Sequence, residues 1–470
     1  MTLIKSISGI RGTIGGQSGN SLTPIDIVKF TAAFGSMIKQ ESIACKVIVG
    51  RDARISGDMV NRLVCATLNG LGIDVIDLGL STTPTVEMAV VMESAQGGII
   101  LTASHNPKQW NALKLLNSKG EFISDELGKQ MLSIAESGNI EFADVDKLGK
   151  ITEKKDYIQK HIDEILKLDL VDVEAIKLKK FKIVVDAVNS TGGIAIPMLL
   201  KALGVEDIVE IFCTPDGKFP HNPEPLPENL TAISNEVIRQ KADLGIVVDP
   251  DVDRLALVNE DGTMFGEEYT LVAVADYVLN NVSDENLNKN SFVKNTVSNL
   301  SSTRALRDIT IKHSGNYNAS AVGEVNVVNM MKETNAIIGG EGNGGVILPE
   351  IHYGRDALVG VAIFLTHLAK YGKTTSMLRQ SYPNYFISKN KIELTPQIDV
   401  DKVLESIHAK YKNQPVNTID GVKIEFDKEW VHLRKSNTEP IIRIYSESQS
   451  LSTADTLAKK IIEDIKEIIK

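Results

Sequence analysis

Three aspartates, Asp249, Asp251 and Asp253, alternate directly after the apolar run Gly245-Ile246-Val247-Val248. Carboxylates this close at a strand end repel one another, and they take up protons unless a cation sits among them. An all-oxygen donor set selects a hard ion, Mg²⁺ or Ca²⁺, over softer metals. A calcium EF-hand would even find Glu260 in twelfth place, but Arg254 stands where that loop needs glycine, and Leu255-Ala256-Leu257-Val258 reads as a strand. The plainer alternative is an exposed acidic turn. Pro250 and Arg254, which constrain the chain beside a buried strand end, argue against it.

Ser104 ends a second apolar run, Gly98-Ile99-Ile100-Leu101, and is followed by His105-Asn106-Pro107. Read alone it would be a helix N-cap. A hydrolase serine needs a base, an orienting acid and a nucleophile elbow, and the Gly-x-Ser-x-Gly pattern is absent. The remaining chemistry is a serine that carries a phosphoryl group beside a divalent cation, which neutralises charge on the transferring group. Residues 434–440 (Arg-Lys-Ser-Asn-Thr-Glu-Pro), with Arg443 beyond, combine guanidinium forks, hydroxyls and loop amides. That is a phosphate cradle by composition, with a solvated turn as the alternative. Residues 339–345 (Gly-Gly-Glu-Gly-Asn-Gly-Gly) fit neither a Walker loop nor a dinucleotide fingerprint. Their side chains able to address polyol hydroxyls are Glu341 and Asn343.

Elements that alternate between strands and amphipathic helices must position these loops, the pattern of α/β domains. At roughly 100–200 residues per domain, 470 residues make three or four. The stretch 46–57 aligns without a gap on 182–193, each a strand, a polar turn and a closing glycine. Gly72-Ile73-Asp74-Val75-Ile76 and Gly204-Val205-Glu206-Asp207-Ile208 echo one another further on, and Ala336-Ile337-Ile338 opens a shorter third copy. Three related α/β domains follow, each delivering a loop from the carboxyl end of a strand, where open α/β sheets bind ligands. Breaks are expected near 150, near 259–262 and around 371–385. The last segment lacks the repeat and ends in a helix with Leu457, Ile461, Ile465 and Ile468 on one stripe.

Composition narrows the partners. Net charge is −10, and no stretch gathers Lys and Arg into a patch, which disfavours nucleic acid and anionic membranes. Three cysteines without metal-ligand spacing make neither a disulfide framework nor a zinc site. No apolar run approaches the ~20 residues of a membrane span. Nor do the first residues carry the apolar core of a signal peptide. A soluble, cytoplasmic protein is expected.

The four loops, in their order and spacing, resemble the signature loops of the α-D-phosphohexomutase superfamily, over essentially the whole chain. The resemblance implies three similar mixed α/β domains and a smaller C-terminal α+β domain around a central cleft. The expected spans are 1–150 with the phosphoserine loop, 151–258 with the metal loop, 259–372 with the sugar loop and 373–470 with the phosphate loop. It implies Ser104 as the phosphoserine, with Asp249, Asp251, Asp253 and the Ser104 phosphate binding Mg²⁺. Arg11, His105 and Lys114 join the catalytic set; Lys114 or Arg11 is the general acid or base, with Lys114 expected at a lowered pKa. Arg254, Glu341, Asn343, Arg434, Ser436, Asn437, Thr438 and Arg443 would bind substrate. The implied reaction interconverts a hexose 6-phosphate and 1-phosphate through a hexose 1,6-bisphosphate, in a monomer or homodimer that binds small-molecule hexose phosphates.

The chain departs from the family pattern. Ile4-Lys5-Ser6-Ile7-Ser8 stands for the usual Phe-Gly-Thr-Ser, Asn343 for a common serine and Gly345 for a common histidine. Ala112 and Asn437 each replace a glycine. No reacting group is lost, and the sugar loop is closest to phosphoglucosamine-mutase-like members. Glucosamine phosphate is therefore expected ahead of mannose or glucose phosphates. A Mg²⁺-dependent phosphohydrolase and a non-catalytic sugar-phosphate-binding protein are the rival classes.

Overall fold

The computed structural model describes residues 2–6, 9–40, 45–394, 398–435 and 441–469. The chain forms two compact units, one of Met1–Val282 with Asn343–Leu378, the other of Ser283–Gly342 with Arg379–Lys470.

The first unit holds two sheets. The larger runs, edge to edge, Ile4–Ser6, Gly9–Thr13, Trp110–Leu116, Gly97–Leu101, Lys46–Arg51, Asp74–Leu80 and Ile151–Glu153. Its central strands are nearly continuous apolar runs, as expected where helices cover both faces. The helix Pro24–Lys39 is one such cover. Thr23 caps it reciprocally with Asp26, Pro24 opens it, and Ile27, Phe30, Phe34 and Ile38 enter the core with Leu68 and Leu71. Ile151–Glu153 pairs with Val75, Ile76 and Asp77, so this sheet extends past the break expected at 150. The charged run that suggested a linker starts at the end of an edge strand, where charges guard against further pairing.

The smaller sheet is ordered Leu255–Asn259, Leu244–Val248, Lys182–Asp186, Asp207–Ile211. The strand Leu255–Asn259 ends at Asn259, where the second break is expected. The two sheets build their key loops alike. Gly97–Leu101 is parallel to Lys46–Arg51 and antiparallel to Trp110–Leu116, so the chain reverses through 102–109. Leu244–Val248 is parallel to Lys182–Asp186 and antiparallel to Leu255–Asn259, so it reverses through 249–254. Register does the rest: Lys114 lies opposite Ile100, and Arg11 opposite Ala112. Since residues two apart share a face of a strand, Arg11 and Lys114 share one.

In the second unit the strands Tyr317–Ser320, Val293–Asn299 and Ala336–Glu341 are parallel neighbours in that order, the third use of the same design. A five-stranded antiparallel sheet follows: Phe386–Glu393, Ile441–Ser448, Trp430–Lys435, Val422–Glu425 and Val416–Asn417. The helices Val400–Lys410 and Leu451–Ile468 contribute Val403, Leu404, Ile407, Leu457, Ile461 and Ile465 to its core. The architecture is thus three mixed α/β designs and a smaller α+β domain.

Candidate active site

Ser104 is buried in a left-handed conformation, φ 47°. It caps no helix, because the chain returns directly as the strand Trp110–Leu116. Val252, between two of the aspartates, is also left-handed at φ 62°. A β-branched residue there is costly, and strain held in two buried loops marks them as functional candidates.

The two loops touch. Ser104 Oγ donates to Asp249 Oδ2 at 2.7 Å and lies 3.4 Å from His105 Nδ1. Lys114 Nζ donates to Asp251 Oδ2 at 2.7 Å and to Asp253 Oδ2 at 3.3 Å. Asp249 Oδ1 accepts the backbone N–H groups of Asp253 and Arg254. Asp251 Oδ1 and Asp253 Oδ1 are buried without a hydrogen-bond donor. The ligand atoms of the three aspartates lie within 4.8 Å of one another. Two orphaned carboxylate oxygens in an all-oxygen cluster suit a hard divalent cation.

Charge works in both directions here. Burial, then Asp253 and Asp251, push the Asp249 carboxyl well above the usual carboxylate range. Burial would raise Asp251 too, but the Lys114 ammonium holds it low. The lowered pKa expected for Lys114 is not found. Burial acts in that direction, but Asp251 and Asp253 overcome it and hold the amine protonated, well above its ordinary value. Burial, then Arg254, Arg11 and Arg355, drives His105 down to about 2, which leaves a neutral imidazole. Arg11 donates to Asn106 Oδ1 at 3.1 Å, and its own pKa is lowered by burial and by Arg254, Arg54 and Arg355. Arginines that press on one another beside a serine favour an anion, as the aspartates favour a cation. A phosphoryl group and a divalent ion satisfy both demands.

Arg254 is buried, with Nη1 3.7 Å from Glu224 Oε1 and Nε 3.9 Å from Asp253 Oδ1. Asn343 Oδ1 accepts the Gly345 N–H at 3.2 Å. Gly344 between them has φ +86°, and a Cβ there would lie 2.3 Å from the Leu255 carbonyl oxygen. In the second unit Glu341 is buried and accepts from Asn299 Nδ2 at 2.9 Å and from the Gly323 N–H at 3.2 Å. Arg434 and Arg443 are directly opposed on neighbouring strands, with Arg434 Nε 2.7 Å from Asp420 Oδ2. Opposed like charges are unfavourable unless an anion joins them. Ser436, Asn437 and Thr438 lie outside the described residues.

Four family profiles match the chain in order. They are described as phosphoglucomutase/phosphomannomutase alpha/beta/alpha domain I over residues 3–140, domain II over 159–262, domain III over 267–385 and C-terminal domain over 392–464. The chain belongs to the phosphoglucomutase/phosphomannomutase family. It is an isomerase, a phosphohexomutase of the α-D-phosphohexomutase superfamily. A phosphoglucomutase/phosphomannomutase from Thermococcus kodakarensis is 36% identical over 98% of this chain and 99% of its own length. A phosphoglucosamine/phosphogalactosamine mutase from Sulfurisphaera tokodaii is 31% identical over 97% and 98%. The crystal structure of a phosphoglucomutase/phosphomannomutase family protein from Burkholderia thailandensis superposes with a TM-score of 0.82, at 26% identity over 98% of each chain.

Around Ser104 and the three aspartates of this phosphohexomutase stand residues that sequence reasoning passed over. Arg54 donates from Nη1 to the carbonyl oxygens of Pro107 (2.8 Å) and Trp110 (3.1 Å), and from Nη2 to those of Asn106 (2.7 Å) and Ser104. Its Nε holds Asp52 Oδ2 at 3.0 Å, an oxygen that also accepts from Thr102 Oγ1 at 2.7 Å, while Thr102 Oγ1 receives the Ser104 N–H. Thr83 Oγ1 donates to Asp251 Oδ2 at 2.6 Å, and Arg355 Nη2 to Asp253 Oδ2 at 2.8 Å. Ser190 and Thr191 hydroxyls hold the Pro250 carbonyl. The signal for Arg54 was present, since residues 50–54 (Gly-Arg-Asp-Ala-Arg) follow a strand of the first repeat.

Proposed function

We propose that the enzyme interconverts glucosamine 6-phosphate and glucosamine 1-phosphate through phosphorylated Ser104 and a hexose 1,6-bisphosphate. The 2.7 Å contact between Ser104 Oγ and Asp249 carries the reading, because it seats a hydroxyl at the edge of a carboxylate cluster shaped for a divalent cation. Asp249, Asp251 and Asp253 would hold Mg²⁺ together with the Ser104 phosphate. That ion supplies charge neutralisation on the transferring phosphoryl group.

The residues of the chain do the rest. The Ser104 Oγ–P bond breaks as a sugar O–P bond forms; Lys114 gives its proton to the departing Ser104 Oγ and takes up the one that the sugar hydroxyl loses. The bisphosphate then turns, and its other phosphoryl group passes back to Ser104 Oγ. Arg11 and Arg254 bind phosphoryl oxygens and so draw off negative charge. Lys114, held as an ammonium, is the proton donor for a departing oxygen. Arg434 and Arg443 hold the phosphate that does not react, and Glu341 and Asn343 the sugar hydroxyls. The reading also takes the protein as a cytoplasmic monomer or homodimer.

For the sugar, Asn343 and Gly345 in the sugar loop support glucosamine phosphate, as do relatives named phosphoglucosamine mutase, one from Methanopyrus kandleri at 30% identity. The Thermococcus kodakarensis relative at 36% supports a second reading, with mannose or glucose phosphates. Parallel rate assays on glucosamine, mannose and glucose 6-phosphates decide. The expected outcome is a kcat/KM for glucosamine 6-phosphate at least about tenfold above the others, the scale of one added hydrogen bond to a charged group. A preference for mannose or glucose phosphate would establish the second reading.

Chelation should remove activity, and Mg²⁺ should restore it better than Ca²⁺. The smaller ion demands near-octahedral geometry and draws more charge from the phosphoryl oxygens. Steady-state rates of the chelated enzyme after adding each ion check this, and equal rates would contradict it.

A further inference from the structure

Behind the reacting loops, two imidazoles and two carboxylates meet in the interior of the first unit. His352 Nδ1 lies 3.2 Å from Glu87 Oε2, and its Nε2 lies 3.3 Å from Asp356 Oδ2. His161 Nε2 lies 2.9 Å from that same Asp356 oxygen, and its Nδ1 3.0 Å from Thr85 Oγ1. Glu87 is 1% exposed, His161 and Asp356 are 0%, and the His352 side chain is 8%. Groups from three elements thus face His352: Glu87 from helix Thr83–Met92, His161 from helix Tyr157–Ile165, and Asp356 from the cap of helix Ala357–Tyr371.

Hydrogen placement follows from the partners. A carboxylate accepts only, so an imidazole with a carboxylate at each nitrogen is protonated on both. His352, with a proton on each nitrogen, donates from Nε2 to Asp356 and meets Glu87 through Nδ1 as an ion pair. His161 can accept from the Thr85 hydroxyl and donate to Asp356. Asp356 Oδ1 is taken by the Leu358 and Val359 N–H groups at the helix start. Glu87 Oε2 meets His352 Nδ1 at ion-pair distance, outside hydrogen-bond alignment.

Each carboxylate that His352 holds belongs to an element that grips a different aspartate of the 249–254 loop. Glu87 lies one helical turn after Thr83, whose hydroxyl donates to Asp251 Oδ2 at 2.6 Å and whose N–H donates to the Asp251 carbonyl at 2.9 Å. Asp356 lies between Arg355, which donates to Asp253 Oδ2 at 2.8 Å, and Ala357, whose N–H donates to the Val252 carbonyl at 3.2 Å. Gly354 approaches so closely that a Cβ on it would lie 1.9 Å from Glu87 Oε2. The two tethers of the loop, one through Thr83 and one through Arg355, are therefore joined at their far ends by one side chain.

We propose that His352 is a positioning residue for the aspartate loop, the link between Glu87 and Asp356 that sets how Asp251 and Asp253 face a cation, a role resting on the metal reading given above. It touches no substrate and no reacting atom. Burial would lower the His352 pKa, but Asp356 and Glu87 raise it to about 10. A folded-state pKa raised above 6.5 gives stability that is complete below that pH and is lost as the pH climbs toward 10. The link should loosen over the same window.

Magnesium calorimetry on the metal-stripped full-length protein is the test, comparing the parent with His352→Gln, Glu87→Gln and Asp251→Asn. His352→Gln and Glu87→Gln should each bind Mg²⁺ about tenfold more weakly, the scale seen when partners of metal ligands are removed. kcat should fall with little change in KM for the sugar phosphate. The gap in melting temperature between parent and His352→Gln should narrow from pH 6 to pH 10. Glu87→Gln keeps the test decisive if His352→Gln does not fold. Parental Mg²⁺ affinity in the folded variants would overturn the proposal. So would a stoichiometric transition metal in the purified parent that His352→Gln lacks, since His161, His352 and Asp356 would then be its ligands. If Asp251→Asn binds Mg²⁺ like the parent, the metal reading itself fails, and the proposal falls with it.

Discussion

Replacing Ser104 with alanine is expected to lower turnover by at least about 10³-fold while leaving the fold intact, because the acceptor of the phosphoryl group is lost. The substitution removes one hydroxyl and its bond to Asp249, and packing changes little because the loop is held through backbone carbonyls and the Ser104 N–H. Left-handed φ at residue 104 is no harder for alanine than for serine. Mutase rates within tenfold of the parent, with a matching melting temperature, would remove Ser104 from the chemistry.

The second large effect lies one layer behind. Arg54 and Asp52 form a fully buried pair, and Arg54 also satisfies four carbonyls of the serine loop. Arg54→Met removes the cation that neutralises Asp52, which keeps the Thr102 hydroxyl and the residue-54 N–H, and leaves those carbonyls without their side-chain donor. Burial already pushes the Asp52 carboxyl up, and Arg54 is the chief opposing influence. Breaking such a pair costs about 3–5 kcal/mol, to be read from denaturant unfolding. Turnover should fall by about 10²-fold even well below the melting temperature, since a displacement near 1 Å of Ser104 is enough for that. Arg54→Lys separates the two effects. An ammonium can pair with Asp52 and recover part of the stability, but it lacks the fork that spans four carbonyls, so turnover should stay low. Parental turnover in Arg54→Lys would show that the fork does not place the serine.

The loops of the candidate site were legible because each is a polar reversal after an apolar strand. Ser104 and the three aspartates stand out against Ile99-Ile100-Leu101 and Ile246-Val247-Val248. The shared design of the repeats was legible for the same reason, since buried parallel strands are written as continuous apolar runs. What holds these loops was not. Arg54 acts on backbone carbonyls, which leave no mark in a sequence, and Thr83 and Arg355 reach their aspartates from helix starts 168 and 102 residues away. The protonation of Lys114 was read in the wrong direction because burial was weighed without the two carboxylates that face it. Near the expected break at 150 the strand Ile151–Glu153 still pairs into the larger sheet, because a short charged edge strand resembles a linker in composition.

The central claim is that Ser104 Oγ carries the phosphoryl group between two positions of one sugar. Incubation with a hexose 1,6-bisphosphate labelled in its phosphoryl groups, followed by peptide mapping of the protein, tests it most directly. The expected result is one labelled phosphoryl group per chain on Ser104, discharged to added hexose 6-phosphate as labelled bisphosphate, and no label on Ser104→Ala. Label released as inorganic phosphate, with none on Ser104 at any time, would contradict the mutase and point to a hydrolase.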